Sequence, residues 1–193
     1  MLNKYIFLDR DGVINKAPAP HEYITKWEEF EFLPGAISAL RSLCRNNYNP
    51  IMITNQQAIA RKKMSLDDLN YIHQKMIAEL EKSEAYILDI FFCPHLDSEG
   101  CECRKPKPGL LLKAAEKYNI NLSETYFIGD FESDIVAGRA AGAKTIFISN
   151  SNHSLLDRFT KKEIKVVPDA VAKDLEAAVE TIILNKFSRL AVL

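Results

Sequence analysis

The chain has 193 residues, 47% of them hydrophobic and 26% charged, with a formal net charge of −1. That size and balance fit one globular domain with a sizeable core, and the near-neutral charge argues against a dedicated nucleic-acid binder. No apolar run is long enough to span a membrane. The N-terminus enters a strand pattern rather than the basic region and apolar core of a signal peptide, so a cytoplasmic protein acting as a monomer is expected.

Taken in order, the chain first offers the apolar run Tyr5-Ile6-Phe7-Leu8, which ends in Asp9-Arg10-Asp11-Gly12-Val13-Ile14-Asn15. This reads as a buried parallel strand followed by turn chemistry. In open α/β sheets, ligands bind beyond the carboxyl ends of strands, where Asp9 and Asp11 would sit. Two such carboxylates repel unless a positive group lies between them, and a hard divalent cation with oxygen ligands is the usual solution. Gly12 allows a sharp turn and a close backbone approach. Alone, Asp-x-Asp-Gly is equally compatible with a capped turn.

Residues 16–33, with Pro18, Pro20, His21, Tyr23 and Trp27, are too few for a cap domain and read as a loop over the site, with Trp27 serving packing. Pro34-Gly35 opens a first helix that buries Ile37, Leu40 and Cys44. A second strand over 51–53 ends at Thr54-Asn55-Gln56-Gln57. Ser65 with Asp68 forms a capping box for a second helix carrying Leu69, Ile72, Met76 and Leu80 on its core face. His73 on that helix is expected to face solvent. A third strand over 87–92 ends at Cys93-Pro94-His95, and a helix runs from Pro108-Gly109 to Tyr118. A fourth strand over 125–128 ends at Gly129-Asp130, and a short helix closes at Gly142. Strands over 144–148 and 164–167 and an amphipathic helix over 171–186 complete the pattern. The alternation predicts a Rossmann-like, doubly wound parallel α/β sheet without a large cap domain, forming one domain over 1–186 with a metal-binding loop at 93–108 and a tail at 187–193.

Three strand ends carry matched chemistry. The first supplies Asp9 and Asp11, the second Thr54 followed by the amides Asn55, Gln56 and Gln57, and the fourth Asp130 with Asp134 one helical turn on. The loop after the third supplies Arg104 and Lys105. If these strands are neighbours, carboxylates and a cation converge on one point, which suits phosphoryl transfer. A metal and Lys105 would neutralise phosphate charge, and Thr54 would hold an oxygen. One carboxylate can attack phosphorus, and a second can protonate the leaving alcohol and later activate water.

The cysteines divide in two. Cys44 stands alone, whereas Cys93, Cys101 and Cys103 crowd around His95. Cys93-x-His95 and Cys101-x-Cys103 offer four N/S ligands in a closed set, which is the pattern of a structural Zn²⁺ site. Such a site would pin the loop so that Arg104 and Lys105, just past the last ligand, face the cleft.

The order Leu8-Asp9-Arg10-Asp11-Gly12, Thr54-Asn55-Gln56, Lys105-Pro106, then Gly129-Asp130 with Asp134, resembles the haloacid dehalogenase (HAD) superfamily of phosphatases over about residues 4–175. The resemblance implies Asp9 as nucleophile, Asp11 as general acid/base, and phosphate bound by Thr54 and Lys105. It implies Mg²⁺ on the Asp9 and Asp130 carboxylates and the Asp11 backbone carbonyl, with Asp134 supporting. Ile59-Ala60-Arg61, Cys93-Pro94-His95 and Cys101-Glu102-Cys103-Arg104-Lys105-Pro106-Lys107-Pro108-Gly109 are similar to the capless, zinc-bearing branch of D,D-heptose 1,7-bisphosphate 7-phosphatases, which also contains histidinol-phosphate phosphatases. A heptose enzyme would serve ADP-heptose and lipopolysaccharide synthesis. The alternatives are a phosphatase for histidinol phosphate or another small sugar phosphate, and a non-catalytic phosphate-binding protein. The implied partner is a small phosphorylated metabolite. The chain departs from the branch at Gln57-Ala58, where Ser-Gly is usual, at Phe131, and at Ala19-Pro20-His21-Glu22-Tyr23, so the departures bear on substrate rather than on the catalytic core.

Overall fold

The computed structural model describes residues 4–149 and 166–184. Six parallel strands, β1 (Lys4–Leu8), β2 (Tyr48–Asn55), β3 (Asp89–Cys93), β4 (Tyr126–Gly129), β5 (Lys144–Ile148) and β6 (Ala170–Ala172), lie in the order β3-β2-β1-β4-β5-β6. Strand β1 is central, pairing with β2 on one side and β4 on the other. The order reverses between β1 and β4, which opens the crevice where α/β sheets bind ligands.

Side-chain alternation along β1 explains the two layers. Ile6 and Leu8 join Met52 and Ile128 beneath α1 (Ala36–Arg45), α2 (Leu66–Glu81) and α5 (Leu175–Ile183). Phe7 points the other way, with Ile51, Ile53 and Phe127, beneath α3 (Gly109–Tyr118) and α4 (Glu132–Ala141). Strands covered on both faces read as continuous apolar runs, which is why Tyr5-Ile6-Phe7-Leu8 shows no polar alternation.

Local signals place several boundaries where the residues predict them. Asp68 donates its backbone N–H to Ser65 Oγ at 3.1 Å, and the Ser65 N–H returns to Asp68 Oδ2 at 2.8 Å. Such a cap is worth about 1 kcal/mol. Gly142 ends α4 with φ +85°.

Other boundaries move. Among the described residues the strand beside β5 is Ala170–Ala172, and residues 166–167 of the expected 164–167 are not in a strand. Residues 164 and 165 lie outside the described set, and Pro168, which has no N–H for a ladder, separates 166–167 from the strand. The last helix starts at Leu175 rather than 171, because Asp174 Oδ1 caps the Ala177 N–H at 2.8 Å. Its expected end at 186 and the tail at 187–193 fall outside the described residues. Cys44 is half-buried rather than core, its thiol 3.7 Å from the Tyr86 carbonyl.

The 16–33 segment closes on itself. Lys16 N–H donates to the Glu31 carbonyl at 2.8 Å and Leu33 N–H to the Ile14 carbonyl at 3.0 Å. Trp27 stacks on Phe30 with ring centroids 5.1 Å apart, and Ile24 and Phe30 are buried beneath the loop. Trp27 therefore packs, as its residue type predicts. Among the described residues, no helix is long and apolar enough to cross a membrane.

Candidate active site

The adjacency of β1, β2 and β4 gathers Asp9, Thr54 and Asp130 at their carboxyl ends, around a cleft of about 330 Å³ also lined by Arg104, Lys105 and Phe131. Ala17 reaches the same cleft, so the 16–33 loop does border it. Two glycines make this convergence possible. Gly12 has φ +85°, and a Cβ there would lie 1.9 Å from Asp130 Oδ2. A Cβ on Gly129 would lie 2.2 Å from the Asp134 Cβ, so only glycine lets α4 begin this close to β4.

Lys105 ties the centre together. Its Nζ lies 2.8 Å from Asp9 Oδ1 and 2.7 Å from Asp134 Oδ1, and it donates to the Ile53 carbonyl at 3.0 Å. Burial opposes its charge, but Asp134 and Asp9 outweigh burial and raise its pKa. The second oxygen of Asp134 accepts the Phe131 N–H at 3.0 Å. Asp134 thus orients the lysine and caps α4, besides standing beside Asp9 and Asp130.

Asn55 holds the lysine's backbone in a reciprocal pair. Its Nδ2 donates to the Lys105 carbonyl at 3.0 Å, and its Oδ1 accepts the Lys105 N–H at 3.1 Å. Gln56 turns inward, donating to Asp11 Oδ2 at 3.0 Å and Thr54 Oγ1 at 2.9 Å. Gln57 does not line the cleft, and Ala58 is buried. Of the candidate substrate contacts, Thr54, Asn55, Arg104 and Lys105 line it. Arg104 is steered by the His95 carbonyl, which accepts from Nη1 at 3.2 Å.

The electrostatics call for a cation. Burial, with the Asp134 and Asp11 charges adding to it and Lys105 opposing, pushes Asp9 up to about 7. Burial, then Asp134 and Asp9, raises Asp130 well above the usual carboxylate range. Asp9, Asp11, Asp130 and Asp134 set four carboxylates against Arg10 and Lys105, a formal excess of two negative charges. A divalent ion would balance it. One carboxylate oxygen each from Asp9, Asp130 and Asp134 lies within 4.8 Å of the others, an all-oxygen set suited to Mg²⁺.

Asp11 differs from its neighbours. Burial alone would raise it, but the Arg10 guanidinium and hydrogen bonds from Asn15, Arg10 and Gln56 hold it below the usual range. Arg10, Asn15 and His73 were not predicted as site residues. The available signal was Arg10 between two aspartates in a buried run, since a buried guanidinium needs carboxylate partners. His73 corrects the solvent-facing expectation. It is 5% exposed and 3.4 Å from Arg10 Nη1, on a face of α2 that turns toward the turn after β1. Burial, then the Arg10 charge, lowers its pKa to about 3.

Next to this site the loop after β3 brings Cys93, His95, Cys101 and Cys103 together. Sγ to Sγ distances are 3.6 Å for Cys93–Cys101, 3.2 Å for Cys93–Cys103 and 3.4 Å for Cys101–Cys103. His95 Nδ1 lies 3.5 Å from Cys93 Sγ and 3.2 Å from Cys103 Sγ. Zn–S bonds of about 2.3 Å in a tetrahedron set sulfur atoms about 3.8 Å apart, so the three sulfurs are slightly closer together than Zn²⁺ would hold them. Gly109 starts α3 against this loop, and a Cβ there would lie 2.1 Å from the Glu102 carbonyl oxygen.

A HAD-hydrolase-like family model matches residues 102–178. The chain is 39% identical to a D-glycero-alpha-D-manno-heptose-1,7-bisphosphate 7-phosphatase of Campylobacter jejuni, covering 86% of this chain and 95% of that one. It is 41% identical to a D-glycero-beta-D-manno-heptose-1,7-bisphosphate 7-phosphatase of Helicobacter pylori, covering 74% and 81%. Among solved structures it resembles the D,D-heptose 1,7-bisphosphate phosphatase of B. bronchiseptica complexed with magnesium and phosphate, with a TM-score of 0.85, 31% identity, and coverage of 94% and 99%.

Proposed function

Because this chain belongs to the heptose-bisphosphate phosphatase family of HAD-like hydrolases, we propose that it removes the 7-phosphate of a D-glycero-D-manno-heptose 1,7-bisphosphate through an aspartyl-phosphate on Asp9. The chain is a phosphatase. The observation that carries the site assignment is the meeting of Asp9, Thr54, Lys105 and Asp130 at three neighbouring strand ends.

In this reading Asp9 attacks phosphorus, and the leaving oxygen takes a proton from Asp11, which must acquire that proton against the Arg10 charge that lowers its pKa. Water then attacks the phosphorus of the aspartyl-phosphate and gives its proton back to Asp11. Thr54 and Lys105 hold phosphate oxygens, with Asp134 and Asn55 holding Lys105. Arg104 reaches the substrate from the metal loop. Mg²⁺ bound by Asp9, Asp130 and the Asp11 backbone carbonyl would supply charge neutralisation for the phosphate. Zn²⁺ on Cys93, His95, Cys101 and Cys103 would be structural, because four protein ligands leave it no open position. Reduced thiols in that set fit a cytoplasmic setting, and the product would serve ADP-heptose and lipopolysaccharide synthesis.

The test is phosphate release with Mg²⁺ from both anomers of the heptose bisphosphate, histidinol phosphate, other sugar phosphates and an aryl phosphate. The heptose bisphosphate should give the highest kcat/KM and lose one phosphate only. A higher kcat/KM on histidinol phosphate or another sugar phosphate would replace the substrate named here. The two relatives named above differ in anomer, so the preferred anomer is a direct readout of this panel.

A further inference from the structure

Phe131 directly follows Asp130, and at 57% it is the most exposed large hydrophobic side chain among the described residues. Neither core packing nor helix capping explains it. Its ring belongs to none of the apolar clusters among the described residues. It holds the N-cap position of α4, where Ser, Thr, Asp and Asn are preferred, and its side chain makes no capping bond. The backbone beneath the ring is nevertheless anchored. Phe131 N–H donates to Asp134 Oδ2 at 3.0 Å, and the Phe131 carbonyl accepts the Asp134 N–H at 3.1 Å. A fixed stretch of chain thus carries an aromatic ring to a cleft whose other lining side chains, Ala17 apart, are polar or charged.

A single exposed apolar residue is ordinary on a protein surface. Position gives this one its meaning. Asp9 and Lys105, which the reacting phosphate must meet, are buried at the floor of the cleft, and Phe131 stands at its exposed lip. The 7-phosphate of a heptose bisphosphate hangs on a short exocyclic arm. With that phosphate at the floor, the sugar ring lies further out, at the level of Phe131. Sites for small molecules commonly pair a few polar groups with an aromatic wall, and Phe131 is the aromatic side chain that lines this cleft.

The sugar has one apolar side. In the chair form of a manno-configured heptose, the axial C–H bonds at C3 and C5 point to one side of the ring, and the axial hydroxyl at C2 points to the other. In the β anomer the C–H at C1 joins the first side, and the 1-phosphate is equatorial. In the α anomer the 1-phosphate is axial and stands on that same side. The face of an aromatic ring is negative, so it attracts the C–H hydrogens and repels a phosphate. A phosphate pressed against the ring would also lose water without gaining a partner. We propose that Phe131 is a specificity-determining residue whose ring packs on the C1, C3 and C5 side of the sugar and selects the β anomer of the heptose bisphosphate. The proposal rests on the heptose-bisphosphate reading above and deepens it.

The test measures kcat and KM with Mg²⁺ on the separate α and β bisphosphates, for wild type, Phe131→Ala and Phe131→Tyr. Wild type should show the higher kcat/KM on the β anomer. Phe131→Ala should shrink the β-to-α ratio of kcat/KM by about 3- to 10-fold, the size of one aromatic contact. The KM for the β anomer should carry that change, because a contact made alike in the bound and reacting states is uniform binding. The ratio is taken within one protein, so a partly inactive preparation leaves it unaltered. Phe131→Tyr keeps the ring and should hold the ratio within about twofold of wild type. Inorganic phosphate reaches the floor but brings no sugar, so it should inhibit wild type and Phe131→Ala with the same constant. An unchanged ratio in Phe131→Ala, a wild type that prefers the α anomer, or a phosphate constant that shifts as far as the ratio would overturn the packing role and leave the heptose reading standing. Phosphate release from neither anomer would overturn the heptose reading and the packing role together.

Discussion

The two candidate metal sites are near neighbours in space and opposites in construction. The thiol site draws Cys93, His95, Cys101 and Cys103 from eleven consecutive residues, closes around its centre and leaves no position for a substrate. The carboxylate site draws Asp9 from the end of β1 and, more than 100 residues later, Asp130 and Asp134 from the end of β4 and the first turn of α4, and it opens onto the cleft. Soft, local and closed is a way of shaping a loop. Hard, dispersed and open is a way of doing chemistry. Lys105 joins them, since it follows the last thiol ligand, Cys103, by two residues and ends between Asp9 and Asp134.

The largest break in that comparison is at the nucleophile. Asp9→Asn should cut kcat by on the order of 10⁴-fold or more, the scale of removing a nucleophile, while metal analysis still finds zinc at one per chain. Retention of a substantial fraction of wild-type kcat would remove Asp9 from the role.

Disturbing the other site should act differently. Cys101→Ser should lose zinc and loosen 93–108, raising KM by about tenfold, the equivalent of losing one charge-assisted hydrogen bond of about 1.5 kcal/mol. Adding Zn²⁺ in place of Mg²⁺ should not restore activity in metal-stripped wild type. A zinc-free Cys101→Ser protein with unchanged KM would mean that the thiol site does not position Arg104 and Lys105.

The hard site can be sharpened by pH. Asp9 is raised to about 7 from 3.8, so the folded, Mg²⁺-free protein binds more protons than the unfolded chain between those values. Its stability should therefore fall as pH rises through that window. Mg²⁺ competes with the proton, so the gain in Tm on adding it should be larger at pH 8 than at pH 6, with about 2.7 kcal/mol expected at 100 times its Kd. Equal gains at both pH values would detach the ion from Asp9.

The smallest effect concerns the residue behind the site. His73 has its pKa depressed to about 3 from 6.5, so it contributes stability above pH 6.5 that is lost as pH falls toward 3. The contribution has a slope of at most about 1.4 kcal/mol per pH unit. In His73→Gln the acid limb of a denaturation-versus-pH curve should be shallower over that range, and an unchanged limb would mean that His73 is charged in the folded protein.

Much of this molecule was legible without coordinates because its signals are local. An apolar run ending in Asp-x-Asp-Gly, a Ser65–Asp68 capping box, and four metal ligands within one loop each state their structure through nearest neighbours along the chain. The parallel sheet also follows from alternating strand and helix patterns. Boundaries failed where a single residue outranked periodicity, as Asp174 did by capping α5 and Pro168 by separating residues 166–167 from β6.

Tertiary structure alone decided which polar groups meet. Residue types placed Asn55 and Gln56 among the substrate contacts; the adjacency of β1, β2 and the thiol loop also pairs Asn55, which lines the cleft, with Lys105 and Gln56 with Asp11 and Thr54. His73 looked like a solvated helix residue because helical spacing places it next to the Leu69, Ile72 and Met76 face without saying what that face covers. The strand order β3-β2-β1-β4-β5-β6 sets α2 over the turn after β1, and a buried guanidinium there needs an acceptor that only a distant residue can supply. Residue chemistry specifies which partners each group can accept, and long-range packing selects one of them.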